Sequence, residues 1–271
     1  MRKQLLTIGQ LAVNDLPGLR RAVLALGRQY GGDWRKYGRK FVRFLDTLQP
    51  SFSVFREGNG KLPFYHFVTL PIITCPGYGA CAAWCYSFRA WRYPQAFFRQ
   101  LGNTVLMRHH RRIVTQAFSV LPADIILRLY VDGDFDSLRT LKFWMKLLRT
   151  RPDIAAYGYS KSWDIFLEYD KHNGWPANYM LNISGGSRYG ADKEQAMLAL
   201  ECTRDRFSSL NVATSLKANP AQHRRELRQA AREAGYKRAF ICPGKCGTCA
   251  NGKHACGSSK FNGVPIIIGI S

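Results

Sequence analysis

Hydrophobic and polar positions alternate in regular blocks from about residue 123 onward. Short runs of apolar and β-branched residues are separated by stretches of helical periodicity, and successive runs start roughly 25–30 residues apart, the length of a βα unit. The runs are Ile125–Val131, Ile154–Tyr159, Tyr179–Ile183, Leu210–Thr214 and Arg238–Cys242, and the helical stretches are Ser137–Thr150, Ser162–His172, Asp192–Cys202 and Pro220–Ala234. This order predicts repeated pairs of a β-strand and an α-helix.

Two further runs, Phe64–Ile73 and Val264–Ile270, add a first and a last strand. Runs that are apolar at successive positions, such as Ile125–Val131, are typical of parallel sheets covered on both faces. About six or seven parallel strands predict an α/β fold, either a full or partial TIM-type barrel of βα repeats or an open, doubly wound sheet. Of these two folds, we favour the barrel.

The segment before Phe64 has a different pattern. Leu11–Tyr30 and Arg35–Leu48 are expected to form two basic helices, and a third is expected over Pro94–Val120. We therefore expect a basic helical N-terminal segment over residues 1–60. Residues 61–271 would form a barrel-like domain that carries two groups of cysteines.

The chain of 271 residues carries 40 Lys and Arg against 18 Asp and Glu, a formal net charge of +22. Such an excess repels itself in a compact protein, so it indicates a polyanionic partner, for which we expect DNA, with RNA as an alternative. Solvated helix faces are the simpler explanation for any single residue. The expected nucleic-acid contacts are Arg20, Arg21, Arg35, Lys36, Arg39, Lys40, Arg43, Arg108, Arg111 and Arg112.

Composition and hydropathy narrow the class of protein. Apolar residues make up 46% of the chain, which is too many for a disordered protein. No stretch of about 18 apolar residues is present, so no membrane span is expected. Gln10, Asn14 and Asp15 interrupt the apolar core that a signal peptide needs, and we therefore expect a cytoplasmic protein.

The cysteines form the second functional signal. Seven of the eight fall into two groups within short, glycine-rich segments, whereas Cys202 stands alone and is expected to be a small buried residue. The first group is Cys75, Cys81 and Cys85, and the second is Cys242, Cys246, Cys249 and Cys256. Both groups contain Cys-Pro-Gly, and both begin near the end of a predicted strand, where βα folds hold cofactors.

Three explanations compete for these groups. A disulfide framework is disfavoured in a cytosolic protein, whose thiols are kept reduced. Zinc suits the two-residue spacing between Cys246 and Cys249. An iron–sulfur cluster suits thiolates on a glycine-rich loop with proline next to a ligand, and we favour one or two 4Fe-4S clusters. Three cysteines leave one iron open, whereas four close a site.

A run of carboxylates forms a further candidate site. Asp132, Asp134 and Asp136 alternate where a strong strand turns into a helix. Asp132 and Asp134 are catalytic candidates, because paired carboxylates hold cations such as Mg²⁺ in phosphoryl-transfer and nuclease sites. The alternative is structural: Asp132 ends the strand, and Asp136 or Ser137 caps the next helix.

Four segments together resemble a known family. They are TCPGYGACAAWCY at Thr74–Tyr86, RLYVDGDFDS at Arg128–Ser137, YGYSKSW at Tyr157–Trp163 and the terminal cysteine group from Cys242 to Cys256. Over roughly residues 60–260 the chain is similar to the phage gene-product-88 family, whose members occur on phages and plasmids. The resemblance implies a barrel similar to that of radical-SAM proteins, with iron–sulfur held by the cysteines of both groups. The first group departs from the radical-SAM pattern Cys-x3-Cys-x2-Cys, since its spacings are five and three.

These observations lead to three functional hypotheses, of which the last is a non-catalytic partner-binding module whose cluster only holds the fold together. The first is an iron–sulfur protein of a phage or plasmid that binds DNA and acts in replication, maintenance or regulation of that element. The alternative is an enzyme acting on nucleic acid, either radical-SAM-like or dependent on a divalent metal. Aromatic residues among the basic ones would stack on exposed bases under the first hypothesis, or pack in the core.

Overall fold

The structure is a computed structural model that describes residues 5–7, 51–59, 62–250 and 254–270. Its strands are β1 (Leu5–Thr7), β2 (Ser51–Ser53), β3 (Tyr65–His66), β4 (Ile126–Leu129), β5 (Ala155–Ser160), β6 (Tyr179–Ser184), β7 (Thr203–Asn211), β8 (Phe240–Ile241) and β9 (Ile266–Ile270). Its α-helices are α1 (Pro94–His109), α2 (Arg111–Ser119), α3 (Leu138–Arg149), α4 (Trp163–Asp170), α5 (Ala191–Leu198), α6 (Pro220–Glu233) and α7 (Cys246–Ala250). Short 3-10 segments cover Ala80–Trp84, Tyr86–Arg92, Ala255–Gly257 and Ser259–Phe261.

Seven strands form one sheet in the order β3-β4-β5-β6-β7-β9-β8, and every neighbouring pair is parallel. The sheet curls into half of a barrel, with β3 and β8 as its two edges. The predicted α/β fold of parallel βα repeats is therefore confirmed. The strands that the structure describes do not close a full TIM-type barrel. β1 and β2 form a separate antiparallel pair.

One face of the sheet is apolar and packs into the main hydrophobic core. Leu127 and Leu129 of β4 and Leu181 and Ile183 of β6 are at most 1% exposed. Trp144 of α3 belongs to the same core and is fully buried. We call this helix-covered side the outer face, because it provides the apolar packing on which the fold depends.

The opposite side is polar and aromatic. Neighbouring strands place His66 beside Arg128, Arg128 beside Tyr157, and Tyr159 beside Asn182. Side chains paired in this way stand on the same side of a sheet, and side chains two residues apart along a strand share it. We call this side the inner face. The prediction of apolar residues on both faces therefore holds only for the outer face.

Several predicted boundaries were wrong. The helix expected over Pro94–Val120 is two helices, because the backbone at His110 leaves the helical region with φ −138° and ψ 44°. The strand expected at Leu210–Thr214 begins at Thr203. Its first half was missed because it is polar: Arg204 is only 2% exposed, yet it interrupts the apolar pattern. Cys202 is buried as expected, although α5 ends before it.

The N-terminal predictions fall mostly outside the described residues, as do the helices expected at Leu11–Tyr30 and Arg35–Leu48. The division at residue 60 stays a prediction, although Val54 and Phe55 already belong to the main core. The amide of Asn103 donates a hydrogen bond to the carbonyl of Val54 at 2.9 Å. Among the helices of the described part, none is both long and apolar enough to cross a lipid bilayer.

Candidate metal centre and basic surface

The first group of cysteines lies in a loop that packs against the ends of β5 and β6. A Cβ atom on Gly77 would clash with the carbonyl oxygen of Lys161, and one on Gly79 would lie 2.7 Å from the backbone of Ser187 and Arg188. The backbone N–H of Arg188 donates to the carbonyl of Gly77 at 3.2 Å. Such close backbone approach requires glycine at both positions, so the loop is fixed by main-chain contacts.

Asp134 joins this loop to β5. Its buried carboxylate accepts hydrogen bonds from the Ser160 hydroxyl, the Phe135 N–H and the Lys161 N–H, each at 2.7 Å. Its own N–H donates to the hydroxyl of Thr74 at 3.3 Å. Burial raises the pKa of Asp134, and its three donors oppose that effect. Both carboxylate oxygens are thus engaged by protein donors.

The other two carboxylates have different partners. Asp132 accepts from the Ser87 hydroxyl at 2.6 Å, and burial raises its pKa. Asp136 accepts from the Thr140 hydroxyl at 2.6 Å, while Ser137 caps α3 by accepting from the Thr140 N–H at 3.2 Å. The expected helix cap is therefore confirmed at Ser137. Catalytic roles for Asp132 and Asp134 stay predictions.

The thiols of the first group lie near these carboxylates and near one another. Burial raises the pKa of Cys75, and Asp134 and the Cys85 thiol raise it further. The pKa of Cys85 is likewise raised by burial, with contributions from Asp132 and Cys81. A metal would therefore have to displace protons from these thiols when it binds.

The second group gathers over the inner face. The segment that contains Cys256 packs against β5 and β6, and Asn182 donates to the carbonyl of Cys256 at 2.8 Å. The Cys256 thiol accepts a hydrogen bond from Tyr159, yet burial raises its pKa to about 12. Burial and the neighbouring thiols of Cys246 and Cys249 raise the pKa of Cys242. All four cysteines of the group are therefore close enough for their charges to interact.

Among the described residues, three buried polar atoms near this group have no hydrogen-bond partner: Arg128 Nε, Tyr157 Oη and His254 Nε2. The His254 ring packs against the rings of Phe64 and Tyr157, with centroids 4.5 and 4.6 Å apart. The charge of Arg128 acts on the pKa values of Cys242, Cys256 and His254. Because buried polar groups rarely lack partners, these atoms indicate a site for a polar or charged group.

The donor set fits a thiolate-bound metal, although no single-ion site is preformed. Within 62–250 and 254–270, no three His, Cys, Asp or Glu side chains are placed to hold one metal ion. A single zinc ion needs sulfur ligands about 2.3 Å from the metal, whereas a cluster distributes its thiolates over several irons. The four thiols of the second group therefore fit a cluster in chemistry, and iron–sulfur binding stays a prediction.

The charge of Arg128 acts on the pKa of thiols of the second group and on that of Asp132, which lies beside the first group. The Arg128 guanidinium lies over the ring of Tyr159, 4.6 Å from the centroid. Arg128 was not predicted from the sequence as a site residue. A charge in the apolar run Ile125–Val131 was the one signal that pointed to it.

The predicted nucleic-acid contacts fall into two sets. Arg20, Arg21, Arg35, Lys36, Arg39, Lys40 and Arg43 lie outside the described residues. Arg108 and Arg112 are exposed where α1 meets α2. Arg111 instead donates to the carbonyls of Met107 at 2.7 Å and Arg139 at 3.1 Å and to the Thr140 hydroxyl at 3.0 Å, so it joins α2 to α3.

The exposed side of these helices is strongly basic. α1, α2 and α3 contain Lys and Arg but no Asp or Glu. Arg139, Lys142 and Lys146 of α3 are exposed. Burial lowers the pKa of Arg111, and the nearby charge of Arg139 lowers it further. Positive charges thus repel one another here, as expected of a surface for an anionic partner.

Comparison with known proteins assigns the chain to a family. The family model described as Gene product 88 matches residues 50–263. The chain belongs to the Gene product 88 family. No curated protein and no solved structure matches it. The match to the Gene product 88 model includes both groups of cysteines and the segment from Arg128 to Ser137, whereas the predicted contacts from Arg20 to Arg43 precede it.

Proposed function

We propose that this member of the Gene product 88 family carries a 4Fe-4S cluster on Cys242, Cys246, Cys249 and Cys256 and binds DNA through its basic helices. One observation carries the cluster proposal: four thiols gather over the inner face beside buried polar atoms that have no hydrogen-bond partner among the described residues. Zinc on the same thiols is the alternative.

The chain's own residues would set the properties of such a cluster. Tyr159 donates a hydrogen bond to the sulfur of Cys256, and Asn182 fixes the carbonyl of the same residue. The positive charge of Arg128 opposes the negative charge of the thiolates. When bound, the cluster supplies electron transfer or a structural cross-link, and hydrogen bonds and charges around the sulfurs tune its potential.

Metal analysis of protein purified without oxygen tests this proposal. We expect iron, acid-labile sulfide and a broad visible absorption band. Cys249→Ala is expected to lose them, whereas the matched control Cys202→Ala retains them, because Cys202 is buried in the main hydrophobic core. If iron falls by half in Cys249→Ala, the first group holds a second cluster. A colourless protein that contains zinc would overturn the iron–sulfur proposal.

DNA binding is supported by the net charge of +22 and by the acid-free surface of α1, α2 and α3. The test is the affinity for a labelled duplex at a series of salt concentrations. Arg108→Gln with Arg112→Gln is expected to make the dependence of log K on log salt shallower by about 1.8, if each arginine contacts one phosphate. Absence of binding at low salt would exclude this part of the proposal.

An enzymatic role is the second candidate, and the surroundings of the first group favour it. Cys75, Cys81 and Cys85 lie at the carboxyl edge of a parallel sheet, where βα enzymes bind substrates. Lys161 Nζ donates to the hydroxyl of Ser184 at 2.6 Å at the same edge. A cluster held by three thiols would leave one iron for a small molecule. The test is cleavage of S-adenosylmethionine by the reduced protein, with loss of cleavage in Cys81→Ala.

Divalent-metal nuclease chemistry has less support, because both oxygens of Asp134 already accept hydrogen bonds from the protein. Magnesium-dependent nicking of DNA that is lost in Asp134→Asn would establish it. Action in the replication, maintenance or regulation of a phage or plasmid, within the cytoplasm, remains part of the proposal.

A further inference from the structure

Helix α6 presents a second basic surface, on the opposite flank of the sheet from α1, α2 and α3. It packs against β7, β8 and β9 at the β8 edge. Leu227 and Ala231 are buried there with Ile267 in a small core of their own. The helix is therefore held firmly by one side, and its other sides face solvent.

The exposed side of α6 is divided by charge. Arg224, Arg228 and Arg232 are all exposed and recur every four residues, so they form one stripe along the helix. The acidic residues Glu226 and Glu233 lie on the other flank, at roughly 100° per residue around the axis. The glutamates and the stripe arginines are therefore on different sides of the helix. They cannot form the i,i+4 ion pairs that usually stabilise an exposed helix.

The acidic residues are also occupied elsewhere. Glu226 accepts from the N–H of Thr214 at 2.9 Å and from its hydroxyl at 2.7 Å, and these bonds lower its pKa to about 2. Glu233 accepts from the amide of Gln229 at 2.9 Å. Among the described residues, neither glutamate forms an ion pair with the arginine stripe.

Three like charges at i, i+4 and i+8 destabilise a helix, so the stripe costs stability unless an anion binds it. Its ends lie about 12 Å apart, a length over which one strand of duplex DNA presents about three phosphates. Lys237 and Arg238, both exposed, extend the positive charge beyond the end of the helix.

We infer that the stripe of Arg224, Arg228 and Arg232 binds the phosphodiester backbone of DNA. The inference rests on the proposed DNA binding and adds a contact surface on α6, separate from the surface of α1, α2 and α3. Phosphate contacts of this kind position a protein on DNA and carry no base sequence information. Binding at α6 is therefore expected to be independent of sequence.

The test compares two triple variants of the full chain by salt-dependent binding to a labelled duplex. Arg224→Gln, Arg228→Gln and Arg232→Gln together are expected to make the slope of log K against log salt shallower by about 2.7. The matched control is Lys171→Gln, Lys193→Gln and Arg206→Gln. It removes the same charge from cations already paired with Glu168, Asp164 and Glu194, and is expected to retain the slope.

A second variant keeps the result interpretable if the glutamine variant folds poorly. Lysine at all three stripe positions preserves the charge and is expected to retain the wild-type slope. An unchanged slope in the glutamine variant, or equal losses in both glutamine variants, would overturn the α6 inference and leave DNA binding standing. A wild-type protein that binds anionic lipid vesicles but no duplex would instead overturn the proposed function itself.

Discussion

The inner and outer faces of the same sheet differ in composition and in role: the outer face packs into the hydrophobic core, and the inner face carries the candidate site. The outer face presents side chains such as Leu181 and Ile183, which are at most 1% exposed against a single large core. The inner face presents His66, Arg128 and Tyr159, which contact the terminal cysteine segment or lie beside it. Burial of apolar side chains on the outer face stabilises the fold, and this offsets the stability lost by burying polar side chains on the inner face.

The inner face is also the side of the sheet on which the candidate metal centre lies. Polar groups on the inner face lie under the second cysteine group, and three buried polar atoms there have no hydrogen-bond partner in the part of the chain that the structure describes. Such an arrangement costs stability in the isolated chain, because unsatisfied buried groups are unfavourable. Substitutions on the outer face should therefore change stability alone, whereas those on the inner face should change pH dependence or metal properties.

The largest effect is expected on the outer face. Leu181→Ala removes a fully buried side chain from the main core and is expected to lower the free energy of unfolding by about 3 kcal/mol. Urea denaturation measures the change. Val120→Ala is the control, since Val120 is 56% exposed and its loss is expected to cost less than about 0.5 kcal/mol. Equal effects in the two variants would contradict a tightly packed outer face.

A smaller effect, dependent on pH, is expected on the inner face. Burial lowers the pKa of His66 from 6.5 to about 4, and Arg99, Arg56 and Arg128 contribute in the same direction. As the pH falls below 6.5 the unfolded chain takes up a proton that the folded protein does not, so stability decreases until about pH 4.

When the pH falls from 7 to 5, His66 should lower the free energy of unfolding of the wild type by about 2 kcal/mol. His66→Gln should lack this part of the decrease. Urea denaturation of both proteins at the two pH values gives the difference. Parallel pH profiles would show that His66 titrates normally in the folded state.

The smallest effect on stability, and the most specific one, is expected at Tyr159. Tyr159→Phe removes the hydrogen bond to the sulfur of Cys256 and is expected to cost about 1 kcal/mol or less. In the iron-loaded protein it should make the reduction potential more negative, because hydrogen bonds to sulfur stabilise the reduced cluster. A redox titration followed by electron paramagnetic resonance measures the shift.

The control for this measurement is Tyr65→Phe. Tyr65 lies next to the inner-face residue His66 on β3, and it packs against the main core. Equal potentials in the wild type and Tyr159→Phe would place the cluster away from Cys256.

The outer face was the part of the fold that could be predicted from the sequence. Apolar runs such as Ile125–Val131 and helices such as Ser137–Thr150 have strong periodicity, and the structure places β4 and α3 within them. β7 was misplaced because Arg204 and Asp205 are buried by hydrogen bonding rather than by apolar character. Hydrophobic periodicity in the sequence predicts buried apolar side chains well, but it does not predict polar side chains that are buried in hydrogen-bond networks.

The candidate site was predicted only in part. Spacing in the chain identified the seven grouped cysteines, and the structure shows thiols interacting within each group. Arg128 was missed because its role depends on neighbours such as Tyr157, which is distant in sequence and adjacent in the sheet. The arginine stripe of α6 was also missed. Arg224 and Glu226 are two residues apart in sequence, and only the helical geometry places them on different sides of α6.

The two edge strands of the sheet consist of two residues each, whereas the strands between them have four to nine. Exposed strand edges act as templates on which other chains add, and very short edges offer little to pair with. On the open side of β3, the Arg56 N–H donates to the His66 carbonyl at 3.1 Å, and the His66 N–H donates to the Arg56 carbonyl at 3.0 Å. An open half-barrel built in this way is protected at β3 against edge-to-edge growth into fibres.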